Sequence, residues 1–236
     1  MLSIEAWLAG RRNYLSAASA PVVEGEFGDP RAAPAATVRL VLLGDSSAAG
    51  IGARGVGQTV GGALATRLAG LGYRVRLSNS AISGSRTGDL GPQVSRALLG
   101  RPDVAVLLVG TNDALRASPL PPIRRSVGDA VRRLRGAGVE VVVGTCPDLG
   151  AARSFAQPLR AVLAARCRQI AAAQAQAVRA AGGVPVDLGA LTGTVFRTDP
   201  GTLCLDGFHP SGDGYRLWAD ALLPAVRHAA SSRAAL

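Results

Sequence analysis

The fold of this chain is decided by the stretch Val38-Arg39-Leu40-Val41-Leu42-Leu43-Gly44-Asp45-Ser46, a near-continuous apolar run that ends in a tight turn. Two similar runs follow, at 104–109 and 139–143. Strands that are buried on both faces of a parallel sheet have near-continuous apolar sequences of this kind, because neither face contacts water. The three runs therefore predict the central strands of a parallel sheet.

Amphipathic segments between these runs predict helices at about 59–71, 89–99 and 123–135, and an Ala-rich helix from Pro158 to about residue 181. Weaker strands are predicted at 73–78 and 184–186. Pro185 cannot donate to a ladder on both sides, so its strand belongs at a sheet edge. The polar alternation of the other weak strand suits the opposite edge. The expected fold is thus α/β, a three-layer αβα sandwich of flavodoxin-like type. Its five parallel strands have the order 2-1-3-4-5, with a crevice at their carboxyl ends.

The length of 236 residues favours one domain. We expect an N-terminal arm over 1–36, an α/β domain over 37–230 and a short tail over 231–236. The arm contains a possible short helix with Ile4, Trp7, Leu8 and Leu15 on one side, followed by a Pro/Gly/Ala-rich stretch. We expect the arm to pack on the domain surface.

The charge of the chain invites a nucleic-acid interpretation, since the formal net charge is +10. All 26 basic residues are Arg, however, and they are spread along the whole sequence. Aromatic residues make up only 4%, which leaves few platforms for stacking bases. We therefore expect no nucleic-acid partner, although weak attraction to anionic surfaces stays open. The absence of Lys also excludes a P-loop lysine and a Schiff-base lysine.

No apolar run reaches the 18 residues of a membrane helix, so no stable membrane insertion is expected. Arg11, Arg12 and Asn13 interrupt any early apolar segment, which argues against an export signal. The cysteines Cys146, Cys167 and Cys204 lack paired spacing, so they are expected to be reduced thiols of a cytoplasmic protein and not zinc ligands.

The chemistry of the chain is expected at Asp206 and His209, in the segment Leu205-Asp206-Gly207-Phe208-His209-Pro210. A serine hydroxyl is a weak nucleophile until a base removes its proton, and Ser46 follows the first predicted strand. A carboxylate and an imidazole three residues apart can supply that base and its orienting partner. The only other histidine, His228, lies in a tail-like segment with no nearby carboxylate.

Three donors are available to stabilise an oxyanion: the backbone N–H of Ser46, the backbone N–H of Gly84 and the side chain of Asn112. Each follows a predicted strand. Taken singly, Gly84 is equally typical of a turn and Asn112 of a local cap.

Together these segments resemble the SGNH hydrolases, the GDSL-type esterase and lipase superfamily. The four matching blocks are Gly44-Asp45-Ser46, Asn79-Ser80-Ala81-Ile82-Ser83-Gly84, Gly110-Thr111-Asn112-Asp113 and Asp206-Gly207-Phe208-His209-Pro210. The resemblance implies a Ser46 nucleophile, a His209 base oriented by Asp206, and an oxyanion hole of Ser46, Gly84 and Asn112. Ser47 stands where the family often has Leu. Asp45 and Asp113 are expected to brace the loops of the site.

The resemblance further implies a hydrolase that needs no cofactor or metal and acts on a small-molecule acyl ester through an acyl-enzyme. The modest length favours short acyl chains. Thioesters, phospholipid acyl groups and acetylated sugars remain alternatives on the same machinery. No residue pattern indicates an oligomeric state.

A nucleotide-binding protein is the rival from another class, because Gly50-Ile51-Gly52-Ala53-Arg54-Gly55 spells G-x-G-x-x-G. A dinucleotide-binding turn would place these glycines directly at the strand end, with an acidic residue about 20 residues further on. Neither condition holds, so we expect these glycines to form a flexible rim near Ser46.

Overall fold

A central sheet carries the site. In the computed structural model, which describes residues 14–15, 20–29, 31 and 36–234, the sheet has six strands in the order β1-β3-β2-β4-β5-β6. Their bounds are β1 (Gly25–Phe27), β2 (Thr37–Gly44), β3 (Arg74–Asn79), β4 (Val104–Leu108), β5 (Glu140–Gly144) and β6 (Val184–Val186). The strands β2 to β6 are parallel, and their order confirms the predicted arrangement of five strands.

The expected strand count of five is corrected to six by β1, which comes from the arm and pairs antiparallel with β3. Three residues with no alternating pattern give no signal of a strand in the sequence. The predicted edge strand β3 is therefore covered, and an exposed ion pair joins Glu26 to Arg76 across the added pairing. The Pro185 strand lies at the opposite edge, as predicted.

Seven α-helices are found in the described part of the chain: α1 (Val60–Gly70), α2 (Leu90–Leu99), α3 (Thr111–Leu115), α4 (Leu120–Gly136), α5 (Leu159–Ala180), α6 (Leu188–Thr198) and α7 (Gly212–Ala234). The four predicted helices are confirmed as α1, α2, α4 and α5. The helices α3 and α6 were not predicted. Before the last helix, Pro210 pairs with Leu203 in an isolated bridge, and the helix begins at Gly212.

Alternation along β2 divides the core into two layers. Leu40 and Leu42 face α1 and α7, whereas Val41 and Leu43 face α2 and α4. Successive side chains of a strand point to opposite faces, so a near-continuous apolar run requires a helical layer on each side. This is the expected αβα sandwich.

The arm was expected to pack on the domain surface, but it also contributes a side chain to the core. Val23 is 3% exposed and belongs to the core, next to the β1 segment. The helix expected around Ile4, Trp7 and Leu8 lies outside the described residues. Over the residues described, no helix is both long and apolar enough to cross a membrane.

Candidate active site

Ser46 lies in a turn whose geometry depends on Gly44. This glycine has a φ of +136°, and a Cβ atom there would stand 1.8 Å from the carbonyl oxygen of Leu108 on the neighbouring strand. The Gly44 N–H donates to Oε1 of Gln93 at 2.8 Å, and Nε2 of Gln93 donates back to the Gly44 carbonyl at 3.0 Å. The chain therefore turns sharply off β2 and presents Ser46 at the carboxyl edge of the sheet.

The structure brings Ser46, His209 and Asp206 together, although Ser46 and His209 are 163 residues apart in sequence. Nε2 of His209 lies 3.1 Å from Oγ of Ser46, and Nδ1 lies 2.7 Å from Oδ2 of Asp206. These distances allow the imidazole to receive a proton from Ser46 while Asp206 fixes the tautomer with a proton on Nδ1. The geometry is that of a base activating a hydroxyl nucleophile.

The carboxylate of Asp206 is held by its own loop. Oδ1 accepts the backbone N–H groups of Phe208 at 2.9 Å and of His209 at 3.0 Å. Burial by itself would raise the pKa of Asp206, but the hydrogen bonds from the His209 ring and these two N–H groups outweigh it and lower the pKa to about 2. Asp206 is therefore ionised across the neutral range, ready to stabilise an imidazolium.

The two expected oxyanion donors outside Ser46, on Gly84 and Asn112, line one pocket with Ser46. Gly84 has a φ of +82°, a conformation that a side chain would strain. Nδ2 of Asn112 donates to the Ser85 carbonyl at 3.0 Å, which orients the amide and leaves its second N–H for another acceptor. Among the described residues, the N–H groups of Ser46 and Gly84 donate to no acceptor. These groups are available to a ligand.

The two aspartates expected to brace the loops both do so. The carboxylate of Asp113 accepts the N–H of Thr87 at 2.9 Å and its Oγ1 at 3.1 Å, which ties α3 to the loop after Gly84. Oδ1 of Asp45 accepts the N–H of Ser47 at 3.0 Å and its Oγ at 2.7 Å. A Leu side chain, which the family often has at position 47, could not donate the hydrogen bond that the Ser47 hydroxyl gives to Asp45.

Asp45 is unusual because its second oxygen, Oδ2, is buried with no hydrogen-bond partner in the described chain. Complete burial raises its pKa to about 6, against the lowering effect of the bonds from Ser47.

An open pocket of about 410 Å³ is lined by Ser46, His209 and the expected oxyanion donors Gly84 and Asn112. Its remaining walls are mainly apolar, formed by Tyr14, Leu15, Leu115, Phe155, Leu159, Leu163 and Phe208. A pocket of this size and lining suits a small ligand with a hydrocarbon part, whose polar end lies at the hydroxyl of Ser46.

The remaining predicted candidates lie away from this chemistry. His228 is exposed on α7, which runs on to Ala234, so it is in a helix and not in a fraying tail. The glycines at 50 and 52 belong to a packed turn in place of the expected flexible rim. Ile51 there is fully buried, and its carbonyl accepts the hydroxyl of Tyr215 at 2.6 Å. This packing offers no open phosphate cradle.

Three features of the site were missed by sequence reasoning. Gln93 is a polar residue on the apolar side of α2, and its spacing from Leu90 is the only signal that could have singled it out. Phe208 has no expected role in the sequence, yet its ring packs on the ring of His209 with centroids 4.8 Å apart. Tyr14 and Leu15 lie in the arm, where nothing in the sequence links them to the site.

Comparisons with known proteins show the family of the chain. The model of the GDSL-like lipase/acylhydrolase family matches residues 42–217. The GDSL-like esterase Rv1075c of Mycobacterium tuberculosis is 42% identical over 200 residues, which are 83% of this chain and 64% of that protein. This chain thus spans a little under two thirds of the length of that relative.

Solved structures share the fold at lower identity. The crystal structure of TesA has a TM-score of 0.64 at 22% identity and covers 81% of this chain and 99% of that one. Axe2, an acetylxylan esterase from Geobacillus stearothermophilus, has a TM-score of 0.61 at 20% identity and covers 80% and 94%. Because the family model matches three quarters of its length, the chain belongs to the GDSL-like lipase/acylhydrolase family.

Proposed function

We propose that this protein is a serine hydrolase that cleaves small acyl esters through a covalent acyl-enzyme, with Ser46, His209 and Asp206 as its triad. The observation that carries the proposal is the continuous hydrogen-bonded chain from Ser46 Oγ through the His209 ring to Asp206. Membership of a family of lipases and acylhydrolases supports it.

In the first half-reaction, Nε2 of His209 takes the proton of Ser46 Oγ as the oxygen attacks the ester carbonyl carbon. The carbonyl π electrons move to oxygen, and the resulting oxyanion accepts hydrogen bonds from Ser46 N–H, Gly84 N–H and Asn112 Nδ2. When the intermediate collapses, the bond to the alcohol oxygen breaks and the imidazolium returns its proton to that oxygen. The alcohol leaves and the acyl group stays on Ser46.

In the second half-reaction, water replaces the alcohol. His209 takes one of its protons, the hydroxide oxygen bonds to the acyl carbon, and the bond to Ser46 Oγ breaks as Oγ recovers a proton. The products are the free acid and the original enzyme. Asp206 stays ionised throughout and stabilises the imidazolium, in line with its lowered pKa.

The shape of the pocket favours short acyl chains. A volume of about 410 Å³ lies at the lower end of small-ligand sites, and its apolar walls suit a hydrocarbon chain better than a sugar. Thioesters and phospholipid acyl groups would use the same triad, so they are alternative substrates of one mechanism.

The test uses purified protein with p-nitrophenyl esters of two to sixteen carbons, matching acyl-CoA thioesters and acetylated sugars. Ser46→Ala and His209→Ala should each abolish turnover and fluorophosphonate labelling while the circular dichroism spectrum is retained. His228→Ala, on the exposed face of α7, is the matched control and should behave as wild type. Near-normal turnover in folded Ser46→Ala would overturn the proposal.

A further inference from the structure

The arm reaches into the candidate site from outside the segment that the family model matches. That model begins at residue 42, whereas Tyr14 and Leu15 lie upstream of it. The backbone N–H of Leu15 donates to Oδ2 of Asp206 at 3.3 Å, although 191 residues separate them in sequence. This oxygen also receives Nδ1 of His209. The arm is thus attached directly to the carboxylate of the proposed triad.

Aromatic packing also holds the arm against the site. The Tyr14 ring meets Phe208 edge-on, with centroids 5.2 Å apart, and Phe208 in turn meets the rings of Phe155 at 5.9 Å and His209 at 4.8 Å. Edge-to-face pairs at these distances stabilise a fixed ring orientation. Tyr14 therefore supports the ring that packs on the proposed base.

The two side chains also form part of the pocket wall. Both line the 410 Å³ pocket that contains Ser46, Gly84 and Asn112, and Leu15 remains 37% exposed there. An exposed leucine beside a nucleophile is surface that an apolar ligand would remove from water. An acyl chain whose carbonyl lies between Gly84 and Asn112 would extend along the same walls.

From these contacts we propose that Tyr14 and Leu15 are specificity-determining residues, which supply one wall of the acyl-chain site and so select the length of the acyl group. This inference rests on the proposed function. It assigns to the arm a role in substrate binding that lies outside the matched family segment.

The test compares kcat/KM for hexanoyl and acetyl p-nitrophenyl esters in wild type, Leu15→Ala and Tyr14→Ala. Loss of wall contact should lower the ratio of hexanoyl to acetyl kcat/KM by about fivefold, since each buried methylene contributes about a fourfold preference. The Leu15→Ala change should act mainly through KM, because it removes contact with the chain and not with the reacting carbonyl. Val22→Ala is the matched control: Val22 belongs to the same arm, is 77% exposed and does not line this pocket.

The outcomes are separable. A fall of the ratio by more than twofold, absent from Val22→Ala, supports direct contact between the arm and the acyl chain. A ratio that rises, or that stays within twofold of wild type in both variants, overturns the inference even where overall activity falls. Loss of a wall contact cannot favour the longer chain, and a purely structural effect would lower both esters equally. Failure of the proposed function looks different, since the wild type would then hydrolyse neither ester or Ser46→Ala would remain active.

Discussion

Two buried aspartates show how hydrogen bonding decides the charge of a carboxyl group. Asp206 receives three donors from its own loop, and they lower its pKa to about 2 despite burial. Among the described residues Oδ2 of Asp45 has no hydrogen-bond partner, and burial raises the pKa of Asp45 to about 6. The difference suits their positions, because Asp206 is hydrogen-bonded to the ring that becomes positive in the proposed mechanism.

The raised pKa of Asp45 predicts a specific pH dependence of stability. Between its ordinary value of 3.8 and about 6, the folded state keeps this proton while the unfolded state releases it. The contribution of Asp45 to the free energy of unfolding therefore falls as pH rises through this window, by up to roughly 3 kcal/mol, and is constant above it. Asp45→Asn should lack this decline, as measured by urea unfolding at pH 4, 5, 6 and 7.

The matched control is Asp129→Asn, which removes an exposed carboxylate on α4. Its pH profile should follow that of wild type over the same range. Asp206 does not confuse the comparison, because its lowered pKa confines its own effect to pH values below about 4, where stability rises with pH. If wild type and Asp45→Asn show parallel profiles, the proton on Asp45 is not retained on folding.

Asn112 is expected to act on the transition state and not on substrate binding. Its amide is oriented by the Ser85 carbonyl, so the free N–H is positioned before the substrate arrives. Asn112→Ala should lower kcat on the order of 10²-fold, about 3 kcal/mol, with KM changed much less. Steady-state kinetics on an acetyl ester measure both. A strong rise of KM with kcat preserved would make Asn112 a binding residue.

At the scale of elements, two buried glutamines connect helices to strand ends. Gln93 of α2 binds both backbone groups of Gly44 and also donates to Ser85 Oγ at 3.0 Å. Gln174 of α5 accepts the N–H of Cys146 at 2.7 Å and donates to the Val109 carbonyl at 2.8 Å. Each satisfies buried backbone groups where a parallel strand ends and its ladder stops. The loops of the site are therefore anchored to the helical layer.

Gln93→Met tests this anchoring with little change of volume. The variant leaves the Gly44 N–H buried without an acceptor, so we expect a loss of about 2 kcal/mol in the free energy of unfolding. We also expect kcat to fall on the order of tenfold, since the turns that carry Ser46 and Gly84 lose a shared support. Urea unfolding and ester kinetics give the two values. Arg96→Met, exposed on the same helix, should change stability by less than about 0.5 kcal/mol; an equally small change in Gln93→Met would contradict the anchoring.

At the scale of the whole molecule, the net charge of +10 comes from Arg residues that are spread along the sequence. We predict weak, purely electrostatic binding to vesicles that contain anionic lipid. It should be detectable by sedimentation at 0.01 M salt, where the Debye length is about 30 Å, and lost at 1 M, where it is about 3 Å. Neutral vesicles are the control. Binding that survives 1 M salt would instead indicate an apolar insertion surface.

The sequence alone determined the sandwich, the order of its parallel strands and the identity of the candidate site residues. Apolar runs are local signals of strands with two buried faces, and short blocks carry turn chemistry that can be read without coordinates. Two of the elements that were not predicted, β1 (Gly25–Phe27) and α3 (Thr111–Leu115), are too short to show a hydrophobic period.

Only the tertiary structure decided which distant groups meet. In the sequence, Gln93 only interrupts the apolar face of a helix. The structure shows that its side chain accepts the N–H of Gly44. Leu15 reads as part of an isolated arm until its N–H lies 3.3 Å from Asp206. Contacts between segments far apart in the chain depend on packing and register, for which no local pattern exists. For that reason the sequence could predict Ser46 as a candidate nucleophile, while only the structure shows that Tyr14 and Leu15 form part of its pocket wall.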